Sequence, residues 1–268
     1  MSNKEKPDFK PYEELVFTDD FMFGKVMEDL ELCHDVLECL LQRKIGKLVD
    51  SDLQREFKFT FEGKPIRMDV FSRTEEEVFD VEAQNLNNKK IEALELPKRA
   101  RFYQSSIDAD YMKKKFSYRL LPESAVLFLC TFDPFGQGIS RYTFRERCVE
   151  NDELYLGDGT TKIFFNCTYK GKDIPDDLKM LYKYLDTGTA EDILTQRIDE
   201  AVNKARRFEE WRSEYVKEMV LLMDAREEGR REEQKKTEIE RRRADIAEAK
   251  VRELEVLLAS VSGDVSNP

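Results

Sequence analysis

Two runs of alternating apolar and polar residues, Arg67-Met68-Asp69-Val70-Phe71 and Val78-Phe79-Asp80-Val81-Glu82-Ala83-Gln84, flank a polar stretch from Ser72 to Glu77. Period two in β-forming residues on both sides of a turn predicts a β-hairpin. On its second strand Phe79, Val81 and Ala83 share one face, and Asp80, Glu82 and Gln84 share the other. A turn centred on Glu75-Glu76 sets position 69 opposite position 82, where facing Cβ atoms lie roughly 5 Å apart. Two acids so placed repel unless something positive sits between them, and a hard divalent cation such as Mg²⁺ suits a pair of carboxylates. Asp80, on the same polar face, is expected to pair with a basic neighbour such as Arg67 or Arg73, the alternative being a third acid beside the pair.

Upstream, Thr18-Asp19-Asp20 offers helix-capping chemistry before an apolar pattern running from Phe21 to Leu41, which predicts one or two amphipathic helices closing near Gly46. Phe57, Phe59 and Phe61 alternate with polar residues, and Glu62-Gly63-Lys64-Pro65 turns that strand into the hairpin. After the hairpin a helix is expected over 91–112, with Pro97 a point of division. Ala125 to Phe132 is continuously apolar, the pattern of a strand buried on both faces. Shorter β-type runs at 139–144 and 162–168 extend the sheet, and 176–185 reads as a helix with Pro175 at its start. From Thr189 the pattern is helical, and beyond Ala225 it becomes a nearly all-charged helix. The expected organisation is a lead-in over 1–17, a folded domain over 18–188, a helical extension over 189–258 and a disordered tail over 259–268.

Charged residues make up 38% of the chain, and the long charged helix accounts for much of that excess. The net charge of −11 argues against polyanion binding by the chain as a whole but leaves room for a local basic patch. One such patch is visible from Lys89 to Arg119, where basic residues outnumber acids and Phe102, Tyr103, Tyr111, Phe116 and Tyr118 interleave with them. A segment of this kind can neutralise phosphates. Five cysteines without a Cys-x-x-Cys pair read as small core residues in a reducing compartment. A single histidine, His34, leaves no His-rich zinc site and no Ser-His or Cys-His nucleophile. No apolar run of membrane-spanning length occurs and the N-terminus lacks an apolar leader, so a soluble, cytoplasmic protein is expected, with no membrane partner.

The ordered series of helix, hairpin, helix and buried strand, carrying Asp69 and Glu82-Ala83-Gln84 on adjacent strands, resembles the PD-(D/E)XK nuclease superfamily. More closely, it resembles the PD-(D/E)XK transposase group of Rpn-type recombination-promoting nucleases. The residues behind the resemblance are Thr18-Asp19-Asp20-Phe21-Met22-Phe23, Met68-Asp69-Val70, Val81-Glu82-Ala83-Gln84, Arg101-x-Tyr103, Asp133-Pro134-Phe135 and Tyr142-Thr143-Phe144-Arg145. Two tail stretches, Glu209-Glu210-Trp211-Arg212 and Arg226-Glu227-Glu228-Gly229-Arg230, extend it. It implies an α/β (α+β) fold: a restriction-endonuclease-like core with a mixed central sheet flanked by helices, followed by a long C-terminal helical extension.

The activity it implies is Mg²⁺- or Mn²⁺-dependent endonucleolytic hydrolysis of DNA, in recombination, mobile-element biology or defence. Asp69, Glu82 and the carbonyl of Ala83 would ligate the metal, and Gln84, in the place of the superfamily's commonest lysine, would orient a water. Asp20 is the expected additional acid from the first helix, with Glu28 and Glu38 as alternatives. Arg101, Tyr103 and Gln104, with Lys98 and Arg99, would contact the substrate. A homodimer through the C-terminal helix is a further expectation. The alternative, prompted by Gln84 and the acidic charge, is a catalytically weak or inactive nuclease fold serving as a DNA-binding or oligomerising module.

Overall fold

The computed structural model describes residues 9–57, 66–85, 89–114 and 117–263, and side chains over 9–49, 68–85, 94–113 and 117–255. The Phe59/Phe61 alternation and the Glu62–Pro65 turn lie outside the described residues. Two compact units are formed, Met1–Trp211 and Arg212–Pro268.

Helices α1 (Asp20–Met27) and α2 (Leu30–Leu41) resolve the first apolar pattern into two pieces. The break between them has a local cause. Asp29 caps α2 by accepting from the N–H groups of Glu31 and Leu32 at 3.0 and 3.1 Å, so the chain must leave helical geometry there.

Strands β1 (Asp50–Phe57), β2 (Ile66–Arg73), β3 (Glu77–Gln84), β4 (Glu123–Cys130), β5 (Arg141–Phe144) and β6 (Thr160–Asn166) form one six-stranded sheet in the order β1-β2-β3-β4-β6-β5. It is mixed: β3, β4 and β6 run parallel to their neighbours in that order, and the other pairs are antiparallel. The β2–β3 turn is tighter than the polar stretch suggests. The Thr74 hydroxyl accepts from the N–H groups of Glu76 and Glu77, which lets both strands run closer to the turn.

Helix α3 (Lys89–Lys114) makes the parallel crossover from β3 to β4 and runs unbroken through Pro97, an exposed position where one ladder hydrogen bond is forgone. Leu96, Ala100, Tyr103 and Ile107, spaced four, three and four residues apart, form its apolar stripe. They pack with Phe71, Val126, Phe128 and Cys130 into one buried cluster. Helix α1 contacts β1, β2 and β3, α4 (Asp176–Thr187) packs on α2, and α5 (Ile193–Ala205) packs on α1, α2 and α4. Cys33 of α2 meets Ser72 of β2 at 3.3 Å, so α2 lies over the sheet face that carries Ser72 and Phe79.

The face of β3 bearing Asp80, Glu82 and Gln84 is aligned in register with Val126, Phe128 and Cys130 of β4, and that face is the one α3 covers. It is therefore buried, and Asp80 and Glu82 are 0% and 1% exposed.

Helix α6 spans Glu209–Gly263, past the expected end at Leu258. Along it Glu227–Arg231, Glu238–Arg242 and Glu248–Arg252 pair at i,i+4 with the acid N-terminal. That is the favourable order, and each pair supports an exposed helix by about 0.2–0.5 kcal/mol. No helix among the described residues is long and apolar enough to cross a membrane.

Candidate functional site

The recorded β2–β3 partners run from Arg73↔Val78 to Val70↔Val81, and one further step in the same register sets Asp69 opposite Glu82. At that step the strands exchange side-chain bonds. The Asp69 N–H donates to Glu82 Oε1 at 2.9 Å, and the Ala83 N–H donates to Asp69 Oδ2 at 3.2 Å. Each acid thus has one carboxyl oxygen on a backbone amide of the other strand. Glu82 is buried, while Asp69 lies part-way to solvent.

The cation of the site comes from α3. Arg99 donates through Nη2 to Glu82 Oε2 at 3.0 Å and through Nη1 to Gln84 Oε1 at 2.8 Å. It is held in turn by Tyr103, whose hydroxyl oxygen accepts from Arg99 Nη2 at 2.9 Å and whose ring lies 5.4 Å from the guanidinium carbon. Tyr103 itself stacks on Phe128 of β4, with centroids 6.2 Å apart. Spacing explains why Arg99 and not Arg101 enters the site. Residues 99 and 103 are one turn apart and share a face, whereas Arg101, two positions on, is turned away by about 200°.

The other α3 residues expected to touch substrate lie elsewhere. Lys98 and Arg101 are exposed on the far side of the helix. Gln104 is buried and donates to Ser124 at 2.6 Å, at the opposite end of β4 from Phe128. Tyr103 is buried too and touches the site only through Arg99. Gln84 is held at both ends of its amide, donating to the Ala83 carbonyl at 2.9 Å and accepting from Arg99. The Ala83 carbonyl thereby has one of its two lone pairs taken by the Gln84 amide.

Asp20, the first residue of α1, is exposed and near enough for its charge to act on both Asp69 and Glu82. The alternative acids have ion-pair partners of their own: Glu28 pairs with Lys25, and Glu38 of α2 with Lys44, beyond that helix's end.

Asp80 was expected to meet an arginine, and the structure corrects this. Neither of its oxygens has a hydrogen-bond partner. Its register neighbours are Phe71 and Val126, both apolar, and the polar group it meets is the Glu82 carboxyl. The signal was available in sequence: the 96/100/103/107 stripe of α3 announces a helix that must cover a sheet face, and the polar face was the one left to it.

Electrostatics follow from this crowding. Burial first, and then the charge of Asp80, push Glu82 well above the usual carboxylate range against the opposing effects of Arg99 and the Asp69 N–H. Burial, Glu82 and Asp20 do the same to Asp69, and burial with Asp69 to Asp80. The site is short of positive charge. Its donor set of carboxylate oxygens and a carbonyl, with two buried oxygens lacking any donor, suits a hard divalent cation.

Among the described residues, the acidic group whose ligand atoms all lie within 4.8 Å of one another is a different one, His34, Asp35 and Glu38 on α2. Asp35 pairs with Arg197 and Glu38 with Lys44, so that cluster already has its countercharges. In the β2–β3 group, Asp69 and Glu82 are each turned to a backbone amide. Compared with protein-family models, characterised proteins and solved structures, the chain matches none.

Proposed function

We propose that this protein is a Mg²⁺- or Mn²⁺-dependent endonuclease of the PD-(D/E)XK type that hydrolyses DNA phosphodiesters. The observation carrying the proposal is the facing of Asp69 and Glu82 at the C-terminal end of β3, with Arg99 as their sole basic contact among the described residues. Glu82 lies two residues before the carboxyl end of β3, the end at which open α/β sheets bind ligands.

In this reading Asp69, Glu82 and the Ala83 carbonyl hold the ion. When bound, the ion polarises a phosphate oxygen and lowers the pKa of a coordinated water. Arg99, anchored by Tyr103, offers a guanidinium to the phosphate as negative charge develops on it. Gln84 orients the attacking water through its amide but cannot supply the charge a lysine would. Exposed Lys98 and Arg101 serve the DNA backbone further out, and a second copy bound through α6 would present two single-strand sites to one duplex.

Purified protein is expected to nick plasmid DNA only with Mg²⁺ or Mn²⁺, and Asp69→Asn is expected to abolish nicking. Equal cleavage by that variant, or cleavage in excess chelator, would sink the proposal. The holding of Gln84 at both amide ends favours the second reading, a weakly active module that binds DNA. DNA binding that survives Asp69→Asn, with no metal-dependent nicking by the parent chain, would establish it.

A further inference from the structure

Resting on the metal-centre reading of Asp69 and Glu82, one side chain is left over. Asp80 is fully buried two residues before Glu82 and on the same face of β3, and no donor reaches either of its oxygens. The sheet offers it nothing, since Phe71 and Val126 stand opposite it on the flanking strands. The helix above offers apolar side chains and Arg99, whose guanidinium is already committed to Glu82, Gln84 and Tyr103. A carboxylate buried this way costs several kcal/mol unless its charge is met. A packed apolar residue would serve the core better.

We propose that Asp80 is a third carboxylate of the metal centre and sets the charge that the centre binds. With an ion bound and the three carboxyls ionised, Asp69, Asp80 and Glu82 against Arg99 leave two negative charges, which one divalent cation cancels, with exposed Asp20 lying outside this count. Asp80 acts from behind Glu82, whose carboxyl it adjoins, so its role is to make the pocket bind an ion of charge two and to hold Glu82 toward it.

The test is Mn²⁺ titration of the full-length chain by calorimetry, with thermal melting in the presence and absence of Mn²⁺. Asp80→Asn and the apolar isostere Asp80→Leu are compared with the parent. Both variants are expected to weaken Mn²⁺ binding by at least about tenfold, the range for groups that support metal ligands. Both are also expected to melt higher than the parent without metal and to gain less from Mn²⁺. Asp80→Leu keeps the shape of the side chain and guards against a folding failure of the amide. Parent-like Mn²⁺ affinity in both variants would overturn the role of Asp80 while leaving the Asp69–Glu82 centre standing. No Mn²⁺ binding by the parent chain would overturn the centre itself.

Discussion

In the proposed endonuclease, Arg99 is the residue on which the site's chemistry turns. It is the guanidinium seen at the acids, and Tyr103 and Phe128 fix its direction. Arg99→Ala is expected to lower metal-dependent nicking at least about a hundredfold, as loss of a preorganised donor to developing charge does. Arg101→Ala, on the exposed side of the same helix, is expected to leave the single-turnover rate intact and to reduce the salt slope of DNA binding by about one. Measuring both variants under single-turnover conditions separates the roles.

Asp133 offers a purely structural counterpart. Burial tends to raise its pKa, but the Tyr142 hydroxyl and the N–H groups of Phe135, Gly136 and Gly138 outweigh it and hold the carboxyl below its usual range. A folded-state pKa below the unfolded one gives stability that is present above the unfolded value and lost as pH falls through the folded value. Asp133→Ala is therefore expected to cost about 1–3 kcal/mol in urea unfolding at neutral pH. That gap should narrow below about pH 3.

At the scale of elements, the β3–α3–β4 crossover assembles the site. Phe128 links its parts, fully buried on β4 and stacked between Tyr103 of α3 and Phe164 of β6. Phe128→Ala is expected to cost about 3–5 kcal/mol, read by chemical denaturation, and to lower nicking because Arg99 loses its support. Much of this architecture is written in the sequence. The period-two runs of β2 and β3 and the turn between them determine the register, and the register is what makes Asp69 face Glu82. The continuous apolar run of β4 likewise reads directly as a strand covered on both sides.

Alternation within a strand cannot say which layer will cover a polar face. That is why Asp80 reads as a surface acid until α3 is docked above it. Nor does a string of basic residues along α3 reveal which one enters the site. Only the angular position relative to Leu96, Ala100, Tyr103 and Ile107 selects Arg99 over Arg101. Gln104 misleads for the same reason, since it lies close to the apolar stripe and is drawn into the core to meet Ser124.

For the molecule as a whole, charge decides what it can hold. A net charge of −11 is unfavourable for DNA at long range, so the DNA binding proposed above would have to draw on the local basic residues of α3. Binding to a labelled duplex is expected to fall steeply between 50 and 200 mM salt, roughly tenfold or more, and a flat response would place the contact elsewhere. The separate unit Arg212–Pro268 carries balanced, exposed i,i+4 ion pairs. If α6 mediates pairing of chains, sedimentation should show a concentration-dependent dimer that weakens on Ile239→Glu with Ile246→Glu, both exposed apolar positions on that helix.

The covering of the acid face by α3 also constrains the order of folding. An isolated β2–β3 hairpin would set Asp69, Asp80 and Glu82 together on one face, a mutual repulsion that water tolerates but close strand pairing does not. Arg99 reaches those acids only when α3 docks, so hairpin closure and helix docking belong to the same step. Replacing Arg99 should then slow refolding more than it speeds unfolding, giving a high φ-value at a residue that sequence alone assigns to substrate contact.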